Sequence, residues 1–593
     1  MGIGGASRFH CLALLCIAEP VIVNGDGKRA CDLHVSCGGG YTGHLRFLAP
    51  QPLADSAADL VVRNATIYTS DASIPFAEAM AVRNGRILRI GTDAHVRGLI
   101  GYRTHELNLE GKVVLPGFID SHVHLISGGL QMGRVKLQGI KSKEDFVMTV
   151  KEAVKDKLPG DWLLGGGWNN DIWGGELPDA SWIDDITRDK PVWFVRMDGH
   201  MGLANSLALK LAGITNSSLD PVGGTILKTS NGADPTGLLI DSAMKLVLTV
   251  IPEISVHERQ EALITASKYA LMKGVTTMVD MGRYFPGASV DDSWQDLSDV
   301  YKWADSSGKM LIRVCLFFPL QTWSRLRDLF EDKGRSLSQW IYLGGVKAFA
   351  DGSLGSNSAL FHEPYEDDPH NYGLQVSDFD WLFNAIVASD KTGLQVAVHA
   401  IGDKANDMVL DLFNSVKSVN EGRDHRFRIE HAQHLVPEAT SRFGVQSVIA
   451  SVQPDHILDD ASSAEKKIGK ARAQKGSYLF RSLLAGGAKL AFGSDWPVAD
   501  IDPLRSIKTA MTRIPPGQET AWIPSERVGL DDALNAYTIG AAYACFLDNE
   551  LGSLSPGKYA DFLVLPSSSW EEFKKSIPSS VSATYVSGLQ AYP

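Results

Sequence analysis

The chain has 593 residues, of which 44% are hydrophobic and 21% are charged, and its formal net charge at pH 7 is -12. This length exceeds what one hydrophobic core normally supports, so we expect one large domain accompanied by a smaller one. The acidic balance, without a cluster of lysine and arginine, argues against nucleic acid as a partner, and we expect no membrane span.

The first segment, residues 1–58, is predicted to be a leader. Its residues 9–17 form an apolar run that resembles the core of a secretory signal, although Glu19 and Pro20 interrupt it. This run is too short to cross a bilayer. If residues 1–23 act as a signal, the chain enters the secretory pathway. Otherwise we expect a cytoplasmic protein, with a perinuclear location included.

Two β-rich segments flank the centre of the chain. Residues 59–112 contain two apolar runs, the second of which includes an Asn84-Gly85 pair that suits a two-residue hairpin turn. Residues 546–593 contain two further strand-like runs. Neither segment could bury a sheet face alone, so we predict that both termini pair into one small β-sandwich.

The central segment, residues 113–545, opens with an apolar strand that ends on His122 and His124. Alternate side chains of a strand share a face, so both imidazoles point the same way. By itself, this pair is also compatible with two ordinary hydrogen-bonded histidines. A stretch at about 130–270 then exceeds a simple connection between a strand and a helix, and we expect it to form an insertion.

Four later strands contain or end on a polar residue that could bind a metal or take part in catalysis. These residues are Lys347, His399, His431 and Asp495. Each is a short β-rich run followed by enough chain for a helix, as in a (β/α)8 barrel of the α/β class. Functional groups of such a barrel gather at the C-terminal ends of the strands, where distant residues meet. His434 competes with His431 for one position.

Imidazole and carboxylate groups are suitable ligands for zinc or a similar divalent ion, and an open position for water would make the site catalytic. The ammonium group of Lys347 would be repelled by a dication, so this lysine is a ligand only if carbon dioxide converts it to a carbamate. Alternatively, Lys347 forms an ion pair with Asp351 or extends its charged end toward water. A single-metal site then becomes the better model.

The order of these residues resembles the amidohydrolase superfamily of metal-dependent hydrolases, and within it amidohydrolase family 3, the YtcJ-like branch that includes N-substituted formamide deformylases. The match runs from about residue 59 to 593. Beyond the candidate ligands, it rests on residues 165–170 (GGGWNN), 196–200 (RMDGH), 205–209 (NSLAL), 351–356 (DGSLGS), 364–365 (PY), 399–403 (HAIGD), 430–433 (EHAQ) and 493–497 (GSDWP). Including residues 585–588 (YVSG), the whole chain is similar to a plant branch whose name implies light signalling through phytochrome.

The resemblance implies a ligand set divided between two divalent ions. One ion would be held by His122, His124 and Asp495, the second by His399 and His431, and carbamylated Lys347 would bridge them. The family pattern favours His431 over His434.

The resemblance also implies catalytic and binding roles. A metal lowers the pKa of a bound water toward neutrality and polarises a carbonyl, and Asp495 would then act as general base and acid. His200 is a candidate for polarising or orienting the substrate carbonyl, although a buried, hydrogen-bonded histidine is an equal alternative. An aromatic substrate pocket is predicted from Trp168, Phe349, Tyr365 and Trp496. For Trp173, core packing and pocket lining are equally favoured.

Two functional classes follow from the sequence. The first is a metal-dependent hydrolase of linear, non-peptide C–N bonds, acting on a small amide or formamide. The second is a regulatory or scaffold protein that retains the barrel without turnover. An intact set of buried polar ligands favours the enzyme, because such residues are costly to keep unused. Exposed faces of the sandwich or barrel could support a homodimer.

Overall fold

The computed structural model describes residues 57–593 apart from 156 and 233, together with two short antiparallel strands, Ala30–Leu33 and Leu45–Leu48. The predicted signal, residues 1–23, lies outside the described residues. Within the described part of the chain, none of the helices has the length and apolar character that a membrane crossing requires.

The centre of the molecule is a barrel of eight parallel strands, each paired with its neighbour in chain order. A parallel bridge between Val123 and Trp496 links the first strand to the segment after the last one. Barrel strands 1 to 8 are Phe118–Val123, Val275–Asp280, Arg313–Pro319, Ile341–Phe349, Gln395–Ala400, Arg428–His431, Ile449–Val452 and Lys489–Phe492. Nearly every residue of these strands is buried, as expected for parallel strands covered by helices. The predicted (β/α)8 fold class is confirmed.

Helices follow the barrel strands and fill the connections. The α-helices are Asp93–Arg97, Leu125–Gln131, Lys143–Ala153, Asp184–Thr187, Ser206–Leu211, Lys245–Leu248, Val256–Met272, Asp292–Asp296, Lys302–Ser306, Trp323–Lys333, Phe379–Lys391, Asp403–Val419, Ala439–Val445, Ile457–Ile468, Lys470–Gly476, Phe480–Ala485, Pro503–Thr512, Leu530–Tyr537, Ile539–Tyr543 and Trp570–Lys575. Shorter turns of 3-10 helix are Asn170–Trp173, Ala180–Trp182, Ser242–Met244, Leu320–Thr322, Pro454–His456 and Pro524–Glu526, and Leu297–Tyr301 is a π-helix.

Both termini of the described chain build the β-sandwich. One sheet contains Leu589–Tyr592, Ala583–Val586, Phe562–Val564, Val113–Pro116, Thr66–Tyr68 and Phe76–Ala77 in spatial order, and the other contains Arg86–Gly91, Ala79–Arg83, Leu60–Arg63 and His105–Asn108. Apolar side chains from both segments, among them Val62, Val114 and Phe562, share one core. Asn84 and Gly85 form the predicted hairpin turn, with φ of 49° and 75°.

A further six-stranded sheet lies between barrel strands 1 and 2 in the chain. Its strands, in spatial order, are Val135–Lys136, Leu163–Trp168, Val192–Arg196, Met201–Ala204, Pro235–Asp241 and Gly224–Lys228. The sheet has an apolar core of its own, which includes Phe146, Trp168 and Phe194. We call it the inserted sheet. It supplies one wall of the cavity at the mouth of the barrel.

Candidate active site

The six predicted ligands lie at the C-terminal end of the barrel. His122, Lys347, His399 and His431 belong to barrel strands 1, 4, 5 and 6, whereas His124 and Asp495 follow strands 1 and 8. The Asp495 Oδ1 atom lies 3.4 Å from His122 Nε2 and 3.5 Å from His124 Nε2. The imidazoles of His399 and His431 have ring centroids 4.6 Å apart. Because the barrel strands end at the same mouth, side chains that are hundreds of residues apart in sequence form one cluster there.

A buried carboxylate fixes the orientation of His122. The Nδ1 atom of its ring lies 2.6 Å from Glu430 Oε2, and Arg428 donates to both oxygens of the same carboxylate at 2.7 and 3.0 Å. Because an ionised carboxylate only accepts hydrogen bonds, Nδ1 of His122 must be the protonated nitrogen. Its Nε2 lone pair then faces Asp495, as in metal ligands whose other nitrogen donates to an acceptor.

The other three imidazoles are fixed in the same manner. Each ring directs one nitrogen to a carbonyl oxygen: His124 Nδ1 to Gly282 O at 2.6 Å, His399 Nε2 to Gly352 O at 3.0 Å, and His431 Nδ1 to Gln453 Oε1 at 2.9 Å. A carbonyl oxygen accepts, so each of these nitrogens carries the proton. The remaining nitrogen of each ring is left with a free lone pair. Four histidines thus present one lone pair each at the mouth of the barrel.

Three buried atoms at the centre of this cluster lack a hydrogen-bond partner among the described residues: His122 Nε2, Lys347 Nζ and Asp495 Oδ1. Buried polar atoms are normally paired. Burial, followed by the charge of Lys347, holds the pKa of His122 well below its usual value, and burial raises that of Asp495. The histidine lone pairs, the Asp495 carboxylate and the unpaired buried atoms lie close together. Such a cluster is suited to bind a divalent cation, which would satisfy these groups.

The environment of Lys347 excludes both of its sequence alternatives, an ion pair with Asp351 and a charged end that reaches water. Asp351 accepts three backbone hydrogen bonds, from Leu360, Ile401 and Gly402, at 2.8 to 3.0 Å, and no ion pair joins it to Lys347 within the described chain. The ammonium nitrogen instead lies 4.8 Å from the centroid of the Phe349 ring. Lys347 is 1% exposed, so its charged end does not reach water.

His200 lies next to the cluster and is held by an aspartate that the sequence analysis missed. Its Nδ1 atom is 2.5 Å from Asp241 Oδ1, and its ring centroid is 4.9 Å from that of His399. Burial alone would lower the pKa of His200, but Asp241 and Asp198 outweigh this and the pKa is raised. Asp241 has a φ of 49°, an unusual conformation at the end of its strand.

His456 is a second residue that the sequence analysis missed. His431, His456 and Asp495 offer ligand atoms within 4.8 Å of one another, as do His122, His124 and Asp495. His456 Nε2 is buried and has no hydrogen-bond partner among the described residues. His456 lies on a 3-10 turn after barrel strand 7. Its position shortly after a strand is the feature of the sequence that could have identified it as a candidate ligand. His434 is directed elsewhere, toward Ser477 Oγ at 2.9 Å.

Five of the six candidate ligands, all except His122, line a cavity of about 160 Å³ that we call the inner cavity. Its walls include Lys347, Phe349, His399 and Asp495 from the barrel and residues 195–200 from the inserted sheet. Phe349, one of the four residues predicted to form an aromatic pocket, is among these lining residues.

The three other residues of the predicted aromatic pocket are not among the residues that line the inner cavity, and their role in substrate binding stays a prediction. Trp168 is fully buried in the inserted sheet, where its indole N–H donates to Phe194 O at 2.9 Å. The Tyr365 hydroxyl donates to a backbone carbonyl at 2.9 Å. Trp496 packs with Tyr269, at a ring distance of 6.1 Å. Aromatic residues next to a motif are frequently core residues, because large apolar area is most stable when buried.

We expect Glu430→Gln to weaken metal affinity by about 10- to 100-fold, because the amide no longer fixes the tautomer of His122. Competition with a metal chelator measures this. Asp561→Asn is the matched control, since Asp561 also pairs with a buried arginine, Arg313, at 2.8 Å, but at the opposite end of the barrel. It should lower stability and leave metal affinity intact. Equal metal affinity in both variants would contradict the assigned role of Glu430.

Comparison with known families matches residues 105–592 to the amidohydrolase family. The chain belongs to this family. It is 63% identical to the Arabidopsis thaliana protein LONG AFTER FAR-RED 3, over 93% of this chain and 94% of that protein.

Two bacterial proteins are similar over most of their length. The chain is 34% identical to the putative amidohydrolase YtcJ of Bacillus subtilis, over 84% of this chain and 92% of that protein. It is 27% identical to the N-substituted formamide deformylase of Arthrobacter pascens, over 86% and 93% of the two chains. These matches confirm the resemblance found from the motifs.

Among solved structures, an uncharacterized metal-dependent hydrolase from Pyrococcus horikoshii is similar to this fold. Its TM-score is 0.67 at 28% sequence identity, and the alignment covers 86% of this chain and 97% of that one. The barrel, the polar cluster at its mouth and the family membership therefore describe an amidohydrolase-type protein.

Proposed function

We propose that the protein is a metal-dependent hydrolase that cleaves a linear, non-peptide amide or formamide C–N bond. One observation carries this proposal: the unpaired buried atoms of His122, Lys347 and Asp495 meet at the mouth of the barrel. Membership of the amidohydrolase family supports the reaction class, and the similarity to a formamide deformylase supports the bond type.

The residues that would hold the metal are the six predicted from the sequence, namely His122, His124, Lys347, His399, His431 and Asp495. Zinc suits this set of nitrogen and carboxylate ligands. A bound ion would polarise the substrate carbonyl and make a water nucleophilic near neutral pH. With Lys347 carbamylated the site would take two ions. With Lys347 unmodified, one ion is the expected number.

Asp495 is the proposed general base and acid. Burial raises the pKa of its carboxyl, which brings it closer to the neutral range where proton transfer in both directions is efficient. The carboxylate would accept a proton from the attacking water and deliver it to the departing nitrogen. His200, held by Asp241, would donate a hydrogen bond to the substrate carbonyl or fix its orientation.

The inner cavity supports a substrate with an apolar group beside the scissile bond. Phe349, Phe285, Val195, Met197 and Pro497 contribute its apolar walls. A cavity of about 160 Å³ admits a small molecule and excludes a folded polypeptide. Homodimerisation and a cytoplasmic location stay predictions from the sequence.

The second candidate function is a regulatory role on a catalytically silent barrel. One observation favours it: the relative that is 63% identical is named for a response to far-red light. A role in phytochrome signalling is compatible with either an active or a silent barrel.

The test is metal analysis of the purified full chain, combined with a screen of N-substituted formamides and N-acyl amines. We expect one or two zinc ions per chain and hydrolysis of at least one amide. A folded protein that contains almost no metal after expression with added zinc, and that hydrolyses nothing, would favour the regulatory role.

A further inference from the structure

A second, larger space adjoins the inner cavity. This outer chamber has a volume of about 550 Å³ and lies between the barrel and the inserted sheet. The side chains of Ser127, Gln131 and Arg134 line both the inner cavity and the outer chamber. They therefore form the polar part of the wall where the two spaces meet.

The position of this wall follows from the chain immediately after the candidate metal site. The helix Leu125–Gln131 begins directly after His124. Ser127 and Gln131 are four residues apart and share one face of this helix. The backbone N–H of Arg134 donates to Gln131 O at 3.1 Å, which turns the chain toward the inserted sheet. The guanidinium is thereby brought to the junction of the two spaces.

The three polar side chains of this wall have no hydrogen bond or ion pair to any described residue. A second arginine of the inner cavity, Arg196, shows the contrast, because it pairs with Asp171 at 2.8 Å and Asp198 at 2.7 Å. An arginine that only supports the fold is expected to resemble Arg196, since partly buried cations are normally paired. Arg134 instead presents unpaired donors to both spaces.

The charged groups around Arg134 do not neutralise it. Glu258 attracts the guanidinium and Arg283 repels it, but neither forms an ion pair with it. The carboxylate of Glu258 accepts from the backbone N–H and the hydroxyl of Ser255, at 3.1 and 2.6 Å, at the start of the following helix.

The other charges in the described lining of the outer chamber offset one another in number. Arg283 is bound by Asp292 at 3.2 Å and Asp296 at 2.7 Å. The chamber also has one further cation, Lys245, and one further anion, Glu253, in its lining. Lys245 has no ion pair within the described chain either, but it does not line the inner cavity, so Arg134 is the unpaired cation that faces both spaces.

We propose that Arg134 binds a carboxylate group of the substrate, so that the protein acts on amides that carry an anionic group. This inference rests on the proposed amide hydrolase function and adds the substrate class. The planar guanidinium can donate two parallel hydrogen bonds to a carboxylate, which is the geometry that arginine favours. Ser127 and Gln131 add neutral hydrogen-bonding groups beside it. The scissile amide occupies the inner cavity, and the remainder of the molecule extends into the outer chamber.

The test compares two matched probes, N-benzylformamide and its para-carboxylate derivative, with the zinc-loaded full chain. We expect the carboxylate probe to have a kcat/KM about 10- to 100-fold higher, as a charge-assisted hydrogen bond allows. Arg134→Met should remove this preference by lowering kcat/KM much more for the carboxylate probe than for the neutral probe, and Arg134→Lys should retain part of the preference. Lys136→Met is the control, because Lys136 is an exposed cation two residues away that lines neither space.

Calorimetric binding to the metal-free chain gives a readout that does not depend on turnover. Tighter binding of the carboxylate probe that is lost in Arg134→Met supports the inference even if neither probe is hydrolysed, in which case only the proposed hydrolase function fails. Equal kcat/KM and equal binding of both probes by the wild type would overturn the inference. An Arg134→Met variant that weakens both probes equally, with a normal melting temperature, would also overturn it.

Discussion

Replacing Asp495 by asparagine is expected to lower kcat by about 10²- to 10⁴-fold, the range that a positioned general base contributes. The substitution keeps the size of the side chain and one oxygen near His122 and His124, but it removes the group that takes the proton. Burial raises the pKa of the Asp495 carboxyl. Asp198, the other acid in the described lining of the inner cavity, pairs with Arg196 instead. Steady-state kinetics on any amide found in the screen would measure the loss.

The control for this prediction is Asp390→Asn. Asp390 is also fully buried, and it pairs with His425 at 2.9 Å, but it precedes barrel strand 5 and therefore lies away from the mouth. This variant should be less stable and should retain its kcat. An Asp495→Asn variant with wild-type kcat would remove Asp495 from the mechanism.

The second large effect is expected for Lys347→Met, which should lower the metal content and abolish turnover. A methionine cannot form a carbamate, so it could not offer the carboxylate-like oxygens that a carbamylated Lys347 would supply as metal ligands. Added formate or acetate should restore part of the metal content by supplying a carboxylate in the vacated space. Mass spectrometry of the wild type, loaded with zinc in bicarbonate, should show the added mass of one carbon dioxide. A wild-type metal content in Lys347→Met would favour the single-ion site.

The same substitution should stabilise the metal-free protein by about 1–3 kcal/mol at pH 7, because it removes an unpaired buried cation. Burial lowers the pKa of Lys347 from 10.5 to about 8. The penalty is therefore full below pH 8, where the folded state must bury the charge. It shrinks as the pH rises to 10.5, since the unfolded state then also loses its proton. Urea unfolding at pH 7 and pH 10 measures the difference.

Lys467→Met is the matched control for stability. Lys467 is likewise buried, but its ammonium donates to Asn357 Oδ1 at 2.6 Å and to Gly355 O at 3.2 Å. Removing a paired cation leaves these acceptors unsatisfied and should destabilise the protein. A loss of stability in both lysine variants would show that Lys347 is not an unpaired charge.

The sequence by itself determined the fold class and the positions where polar groups would gather. Residues 343–349 and 396–400 are apolar except for Lys347 and His399, because parallel strands covered on both faces tolerate polar residues only where they have a use. The hairpin at Asn84-Gly85 was equally predictable, since a local turn depends only on the residues within it.

Only the tertiary structure decided which partners complete the site. The contact between His200 and Asp241 spans 41 residues, and His456 comes near Asp495 only because barrel strands 7 and 8 are neighbours. Trp168 belongs to the core of the inserted sheet, although its motif was assigned to the substrate pocket. Contacts between distant elements depend on how those elements pack. A local pattern of residues does not show which of its side chains another segment will cover.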